Sequence, residues 1–345
     1  KEVLGQEVVP DSGCGSWLLE PQSTNLLTYS NQFDTTWAKS SGVTITSEQT
    51  ISPQGINNGW KFEKTAAAYK SIGQSYTSSA ETTFSIFAKK GTLSVITLFA
   101  TVSGGTNLYQ RFDLENGIVF TGAGMSSSNI KDYGNGWYKC SSTITNTSVI
   151  SLDYFPDFSE TEAGYIYIYG AQAEQQSYAT SYIPTNGAAS TRLQDIANNS
   201  GNATLINSTE GVLYAEIAAL ANDGTVRYIS ITDETSANVI YIRYDNVSNR
   251  IVGTVTVNGA SPASFISTSY DILDFNKIAL KWKTNDFALW INGIEVGYDP
   301  IGNSFAANVL NNLSFSRGGI QNFHGNVKAV VVYKEALTDE QLTCL

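Results

Sequence analysis

Charge is scarce in this sequence. Lys, Arg, Asp and Glu make up 15% of its 345 residues, where about a quarter is usual. The polar surface must therefore come from Ser, Thr, Asn, Gln and Gly, the palette of extracellular all-β proteins. The charge that is present leans acidic, with a formal net charge of −11 and a pI of about 4.6. Such a surface repels a polyanion, and no Lys/Arg cluster relieves the repulsion, so nucleic acid is excluded as a partner. An anionic bilayer is disfavoured for the same reason. Neutral glycans and protein surfaces remain.

Histidine is rarer still. The single residue, His324, sits in QNFHGN before the last expected strand. A Ser-His-Asp triad would have to use it, and no Gly-x-Ser-x-Gly elbow accompanies it. It reads better as a loop histidine without catalytic duty, and metal sites built on several histidines are excluded. The three cysteines, Cys14, Cys140 and Cys344, are too few for a disulfide scaffold and lack the C-x-x-C spacing of zinc sites. Cys14–Cys140 is a conceivable bridge, and unpaired thiols are the plainer reading. No window of about 18 apolar residues exists, so no transmembrane helix is expected, and no charged-then-apolar leader is visible. The chain opens on Lys1 rather than Met, as a fragment or processed product would.

Helical periodicity is also nearly absent. Its one candidate is Ala336–Leu342, ALTDEQL, where Thr338 is placed to cap a short turn. Elsewhere apolar residues alternate with period two between Gly, Asn, Asp and Ser. In the first half this predicts strands near Val43–Ser47, Trp60–Glu63, Thr82–Lys89, Ser94–Ala100, Gln110–Asp113, Gly136–Thr145, Val149–Tyr154 and Tyr165–Gln172. In the second half it predicts strands from Gly211–Ala218 through Asn276–Lys283 to Gly325–Val332. Asn116-Gly117, Asn135-Gly136 and Asn292-Gly293 are hairpin-turn signals. The fold class is therefore all-β, with two β-sandwich (jelly-roll) domains in series. Composition places an N-terminal extension at 1–20, a first sandwich at 21–186, a linker at 187–203 and a second sandwich at 204–345.

Several residues invite a binding role. Tyr165, Tyr167 and Tyr169 alternate with Ile166 and Ile168. If the isoleucines enter the core, the tyrosines share the other face, where flat rings bearing hydroxyls suit stacking on sugars. The bland alternative is that they cover the sheet or a neighbouring subunit. On LYQRFDLENG, Phe112 and Leu114 read as core-facing, leaving Tyr109, Arg111 and Asp113 on the opposite face. Arg111 there could fork onto a glycan oxygen or serve a structural salt bridge. The tryptophans are expected mostly inside; Trp37 is the least settled and is kept as a candidate stacking platform. Asp153, Asp157, Glu160 and Glu162 lie within ten residues of one another. They could supply oxygens to calcium, the only cofactor entertained, or form a solvated acidic loop. A glycosidase needs two carboxylates about 5 to 9 Å apart, and no Glu-x-Asp-x-Glu strand supplies them. No catalytic residue is assigned and an enzyme is not expected.

Residues Leu18 to Pro184 resemble a module of phage and prophage tail proteins related to family 4/9 carbohydrate-binding jelly rolls. The carrying segments are EPQSTNLLTYSNQFDTTWAKS, FSIFAKKG, RFDLENG, DYGNGWYKC and YIYGAQAEQQSYATSYIPTNGAASTR. From Thr204 onward, EGVLYAEI, FNKIALKWKTNDFALWINGIEV and VKAVVVYKEALTDEQL are similar to concanavalin A-like or laminin G-like lectin domains. The resemblance implies a non-catalytic tail-fibre or receptor-binding protein, extracellular on a virion. It would be a homotrimer beside other tail proteins, adhering to a bacterial surface polysaccharide. A structural virion spacer and a glycan depolymerase are the alternatives.

Overall fold

A computed structural model of the chain describes residues 2–3, 6–7, 15–145 and 148–345. Cys14, and with it the conceivable Cys14–Cys140 bridge, lies outside the described residues. The described structure is all-β, with one short helix, Asp339–Thr343. It divides into two units, one of residues 22–193 and one that joins residues 1–21 to 194–345.

The unit of residues 22–193 is a sandwich of two antiparallel six-stranded sheets. One sheet runs, edge to edge, through Ile118–Val119, Asn107–Asp113, Val95–Val102, Val149–Pro156, Ile72–Ser78 and Ala38–Lys39. The other runs through Ser127–Asp132, Trp137–Ile144, Thr82–Lys89, Gly164–Glu174, Gly59–Lys64 and Val43–Thr50. Alternation dictates what lies between them. Ile96, Leu98, Phe112, Leu152 and Tyr154 face Phe62, Phe84, Ile86, Ile166 and Ile168, all fully buried.

The second unit packs a six-stranded sheet on a five-stranded one. The larger sheet carries Ile294–Asp299, Phe287–Ile291, Asn276–Lys283, Glu210–Ala219, Gly325–Tyr333 and Trp17–Leu19. The smaller carries Ala260–Ser267, Ile251–Val257, Val239–Tyr244, Arg227–Thr232 and Asn312–Ser314. The helix begins where Thr338 caps it, its side chain accepting from the Gln341 backbone while the Gln341 side chain accepts from the Thr338 N–H. It seats Leu342, 1% exposed, against Val212, Tyr214, Ala279, Ala288 and Trp290 on the outer face of the larger sheet.

Two expectations are corrected. Residues Trp17–Leu19, assigned to an N-terminal extension, pair with Gly325–Val327 as an edge strand. Residues 187–203, assigned to a linker, are partly built in. Ser190–Arg192 pairs with Ser23–Asn25, and Ser200 exchanges backbone hydrogen bonds with Leu313 at 2.9 and 2.6 Å. Small polar side chains disguise such segments, because their partners are contacted through the backbone. The hairpin expected at Asn116-Gly117 forms, its strands Asn107–Asp113 and Ile118–Val119 joined through residues 114–117. The Gly117 N–H reaches the Asp113 carbonyl at 3.0 Å, and the Asp113 carboxylate collects the Glu115 and Asn116 N–H groups at 2.8 and 3.3 Å.

Candidate functional site: an aromatic face on the first sandwich

The outer face of the sheet containing Val95–Val102 is where predicted residues meet. Turning Ile96, Leu98 and Ala100 inward turns Thr97, Phe99 and Thr101 outward. Register then sets the neighbours. Phe99 stands between Tyr109 and Asp153, and Thr97 between Arg111 and Phe155. After Pro156 the backbone bends at Asp157, whose φ is +61°, uncommon for a residue with a Cβ. Phe158 beyond the bend packs against four rings. Its centroid lies 4.9 Å from Phe155, 5.4 Å from Tyr109, 5.8 Å from Phe99 and 4.7 Å from Tyr69. Tyr69 is 49% exposed, and Phe99, Tyr109, Phe155 and Phe158 are half-buried. Five rings thus form one partly open apolar surface.

Charged and polar groups edge it. Arg111 reaches Asp157 at 3.8 Å and lies 5.7 Å from the Phe120 ring centroid. Its Nε is buried without a partner among the described residues. Asp157 also faces Lys64 at 3.7 Å. The Lys64 side chain is fully buried and donates to the Asp157 and Ser159 carbonyls at 3.3 and 3.0 Å, which holds the bend. Asp153 accepts from the Ser151 hydroxyl at 3.2 Å. Burial raises its carboxyl above the ordinary range, against the lowering effect of the Ser151 and Ser71 hydroxyls. The Asp153 carboxylate lies where a Cβ on Gly73 would stand, so the glycine makes room for it. Beneath the rings the Thr97 hydroxyl is buried with no partner among the described residues. An apolar platform with oxygen and guanidinium groups at its margin can hold the C–H face of a sugar ring and grip its hydroxyls.

The other predicted residues are placed elsewhere. Trp37 is 4% exposed, inside the core 5.1 Å from Phe33 and 5.8 Å from Tyr154. Its Nε1 donates to the Tyr29 carbonyl at 2.7 Å, so it is no stacking platform. The tyrosine stripe does lie opposite Ile166 and Ile168, but Tyr169 is 2% exposed. Tyr182, on the segment after the strand, covers it at 5.3 Å. Burial beside Tyr182 raises the Tyr169 phenol pKa well above its ordinary value. Tyr165 and Tyr167 stay half-buried and meet edge to face at 5.3 Å. Lys61 sits 4.5 Å above the Tyr165 ring, occupying a face a sugar would need, and is held there by Glu63 at 2.8 Å. The four carboxylates offered for calcium do not come together. Asp153 and Asp157 belong to the aromatic face, Glu160 and Glu162 are exposed on the loop, and no metal-holding group of His, Cys, Asp and Glu occurs among the described residues.

Sequence reasoning missed Phe99, Phe155, Phe158 and Tyr69. Phe99 lies in ITLFA and Phe155 in DYFPDF, runs that are apolar on both faces and hide which ring points out. The available signal was register, since Phe99 falls in step with Tyr109, already assigned outward.

No protein-family model matches the chain, and a comparison with characterised proteins gives no match. Solved structures similar to it include the Ruminococcus gnavus IT-sialidase CBM40 bound to α2,3-sialyllactose, at 16% identity and a TM-score of 0.36, covering 44% of this chain and 94% of that one. Another is the native heptameric SAP-like pentraxin of Limulus polyphemus, at 14% identity and a TM-score of 0.35, over 42% of this chain and 72% of that one. A third is the toad ovary galectin in complex with thio-digalactose, at 10% identity and a TM-score of 0.28, over 39% of this chain and 98% of that one. Likenesses this distant carry no argument about ligands. Its own sheets define its class: an all-β protein of two sandwich units.

Proposed function

We propose that this protein is a non-catalytic glycan-binding protein whose first sandwich holds a surface polysaccharide on the face formed by Tyr69, Phe99, Tyr109, Phe155 and Phe158. The observation that carries the reading is that these five rings form one partly exposed cluster with Arg111, Asp153 and Asp157 at its margin. Isolated surface apolar residues need no explanation, whereas a contiguous patch rimmed by polar groups marks an interaction site. Stacked rings supply modest affinity per site, and several copies on one particle raise it through avidity. The phage-tail resemblance of Leu18–Pro184 supports the setting: extracellular, on a virion beside other tail proteins, in a homotrimer adhering to a bacterial surface glycan.

The test is a glycan array followed by titration calorimetry with the best polysaccharide. Tyr109→Ala and Phe158→Ala should each weaken binding by about fivefold or more, taking the roughly 1–3 kcal/mol of a base stacked on an aromatic side chain as the guide. Release of reducing sugar during the titration would make the protein an enzyme. Absence of glycan binding, with oligomer dissociation in the same variants, would make the patch a subunit interface and the protein a spacer.

A further inference from the structure

The second unit carries a different polar arrangement on the outer face of its five-stranded sheet. Tyr228 and Tyr241 point outward from adjacent strands, where Tyr228 registers with Arg243 and Ser230 with Tyr241. Their rings meet edge to face at 5.1 Å. The Arg243 guanidinium lies 5.6 Å from both centroids. It donates to the Tyr228 hydroxyl at 2.7 Å and to Asp245 at 3.1 Å, while its Nε is buried with no partner among the described residues.

Arg317 reaches the same rings, 5.7 Å from Tyr228 and 5.2 Å from Tyr241. It opens a two-residue hairpin, Arg317–Gly318–Gly319–Ile320. The two glycines take φ of +60° and +78°, and the end residues exchange backbone hydrogen bonds at 3.0 and 3.3 Å. Glycine takes such angles without the cost a Cβ adds, so the tight turn closes directly after Arg317. Arg227, Arg243 and Arg250 of this unit each have an acid, Asp223 for the first and Asp245 for the other two. Arg317 has no carboxylate within ion-pair distance among the described residues. A half-buried guanidinium stacked over two rings and left without an acid is poised for an anion. It forms part of the wall of a cavity of about 340 Å³ that Thr232, Glu234, Thr235, Ser236 and Gln321 also line.

We propose that this cavity is a second binding site, taking the carboxylate of an acidic sugar on Arg317. The guanidinium fork matches a carboxylate bidentately. The hydroxyls of Thr232, Thr235 and Ser236 and the Gln321 amide offer donors and acceptors to the sugar's own hydroxyls. Glu234 in the same wall adds one negative charge to the cavity. A planar monoanion therefore suits the site better than a dianionic phosphate, and Glu234 itself can accept from a hydroxyl. This site does not rest on the aromatic face of the other unit.

Titration calorimetry of the full chain with sodium D-glucuronate, D-glucose and D-glucose 6-phosphate tests it. Glucuronate should bind saturably in about the millimolar range and glucose at least about tenfold more weakly. Arg317→Ala should lower glucuronate affinity about tenfold or more. Arg317→Lys, which keeps the charge and stem but loses the fork, should recover only part, and both should melt like the parent chain. Tyr109→Ala should leave glucuronate binding unchanged, whatever it does to polysaccharide binding. Equal affinity for glucuronate and glucose, tighter binding of the phosphate, or full binding by a folded Arg317→Ala chain would each overturn the assignment. Loss of glucuronate binding in Tyr109→Ala alone would move the site to the other unit.

Discussion

Trp37 and Tyr109 show how little a residue's type says about its role. Both are aromatic and both belong to the same sandwich. Trp37 comes from an irregular segment that turns into the core, where its indole N–H finds the Tyr29 carbonyl. Buried Trp137 and Trp282 do the same, donating to Ile51 and Ser208 carbonyls at 2.9 and 3.1 Å. A buried polar tip needs such a partner. Trp37→Ala should therefore lower the stability of this unit by about 3–5 kcal/mol, read by urea denaturation, and reduce glycan affinity only as far as it reduces the folded fraction. Tyr109→Ala should do the reverse, weakening binding with little change in the denaturation midpoint. The alternation rule placed Ile166, Ile168, Phe112 and Leu114 in the core from sequence alone, and all are 3% exposed or less. It could not place Trp37, because a loop has no period.

The elements divide into those sequence resolves and those it does not. Asn292 and Gly293 take φ of +53° and +75°, the geometry that suits Asn-Gly between twisted strands. A Cβ on Gly293 would also stand 2.7 Å from the Thr343 carbonyl at the end of the helix. Gly293→Ala should cost about 1–3 kcal/mol through strain at the turn and displacement of the helix, measured by thermal denaturation. It should also raise hydrogen exchange at the Leu342 amide, which donates to the Thr338 carbonyl at 2.9 Å. The strand Ile72–Ser78, IGQSYTS, escaped prediction because it is short of branched apolar residues; its place comes from Val149–Pro156 beside it. The strand Trp17–Leu19 escaped for a different reason. Its partner, Gly325–Val327, lies some three hundred residues away in sequence, and no local pattern encodes that pairing. Removing residues 1–19 should lower the stability of the unit containing residues 194–345 by about 1–3 kcal/mol. The amides of Gly325–Val327 should lose exchange protection, while residues 22–193 keep theirs.

At the scale of the whole molecule, an acidic chain with few bases must place its carboxylates with care. Asp245 is the clearest case. Burial alone would raise its carboxyl, but the Asn246 backbone N–H, the Arg250 side chain and the charge of Arg243 outweigh it and hold the value below the ordinary range. A carboxyl lowered on folding contributes stability that is present above its unfolded value and lost as pH falls through the folded one. The chain should therefore lose stability as the pH falls below the ordinary carboxylate range. Asp245→Asn should flatten that decline while lowering stability at neutral pH, as followed by tryptophan fluorescence.

Period and composition by themselves determined the all-β class, the sandwich layering, the inward residues of the long strands and the capped final helix. Each depends on interactions within a few residues, where sequence spacing and spatial spacing coincide. Only the tertiary structure decided that Phe99, Tyr109, Phe155 and Phe158 share one face, that Tyr169 lies beneath Tyr182, and that the acidic loop assembles no metal site. It also decided that Arg317 stands over Tyr228 and Tyr241 with no acid in ion-pair reach among the described residues. Those outcomes depend on strand register and on how loops fold back over a sheet. A shift of one residue in register exchanges a strand's two faces, so local sequence cannot say which rings meet.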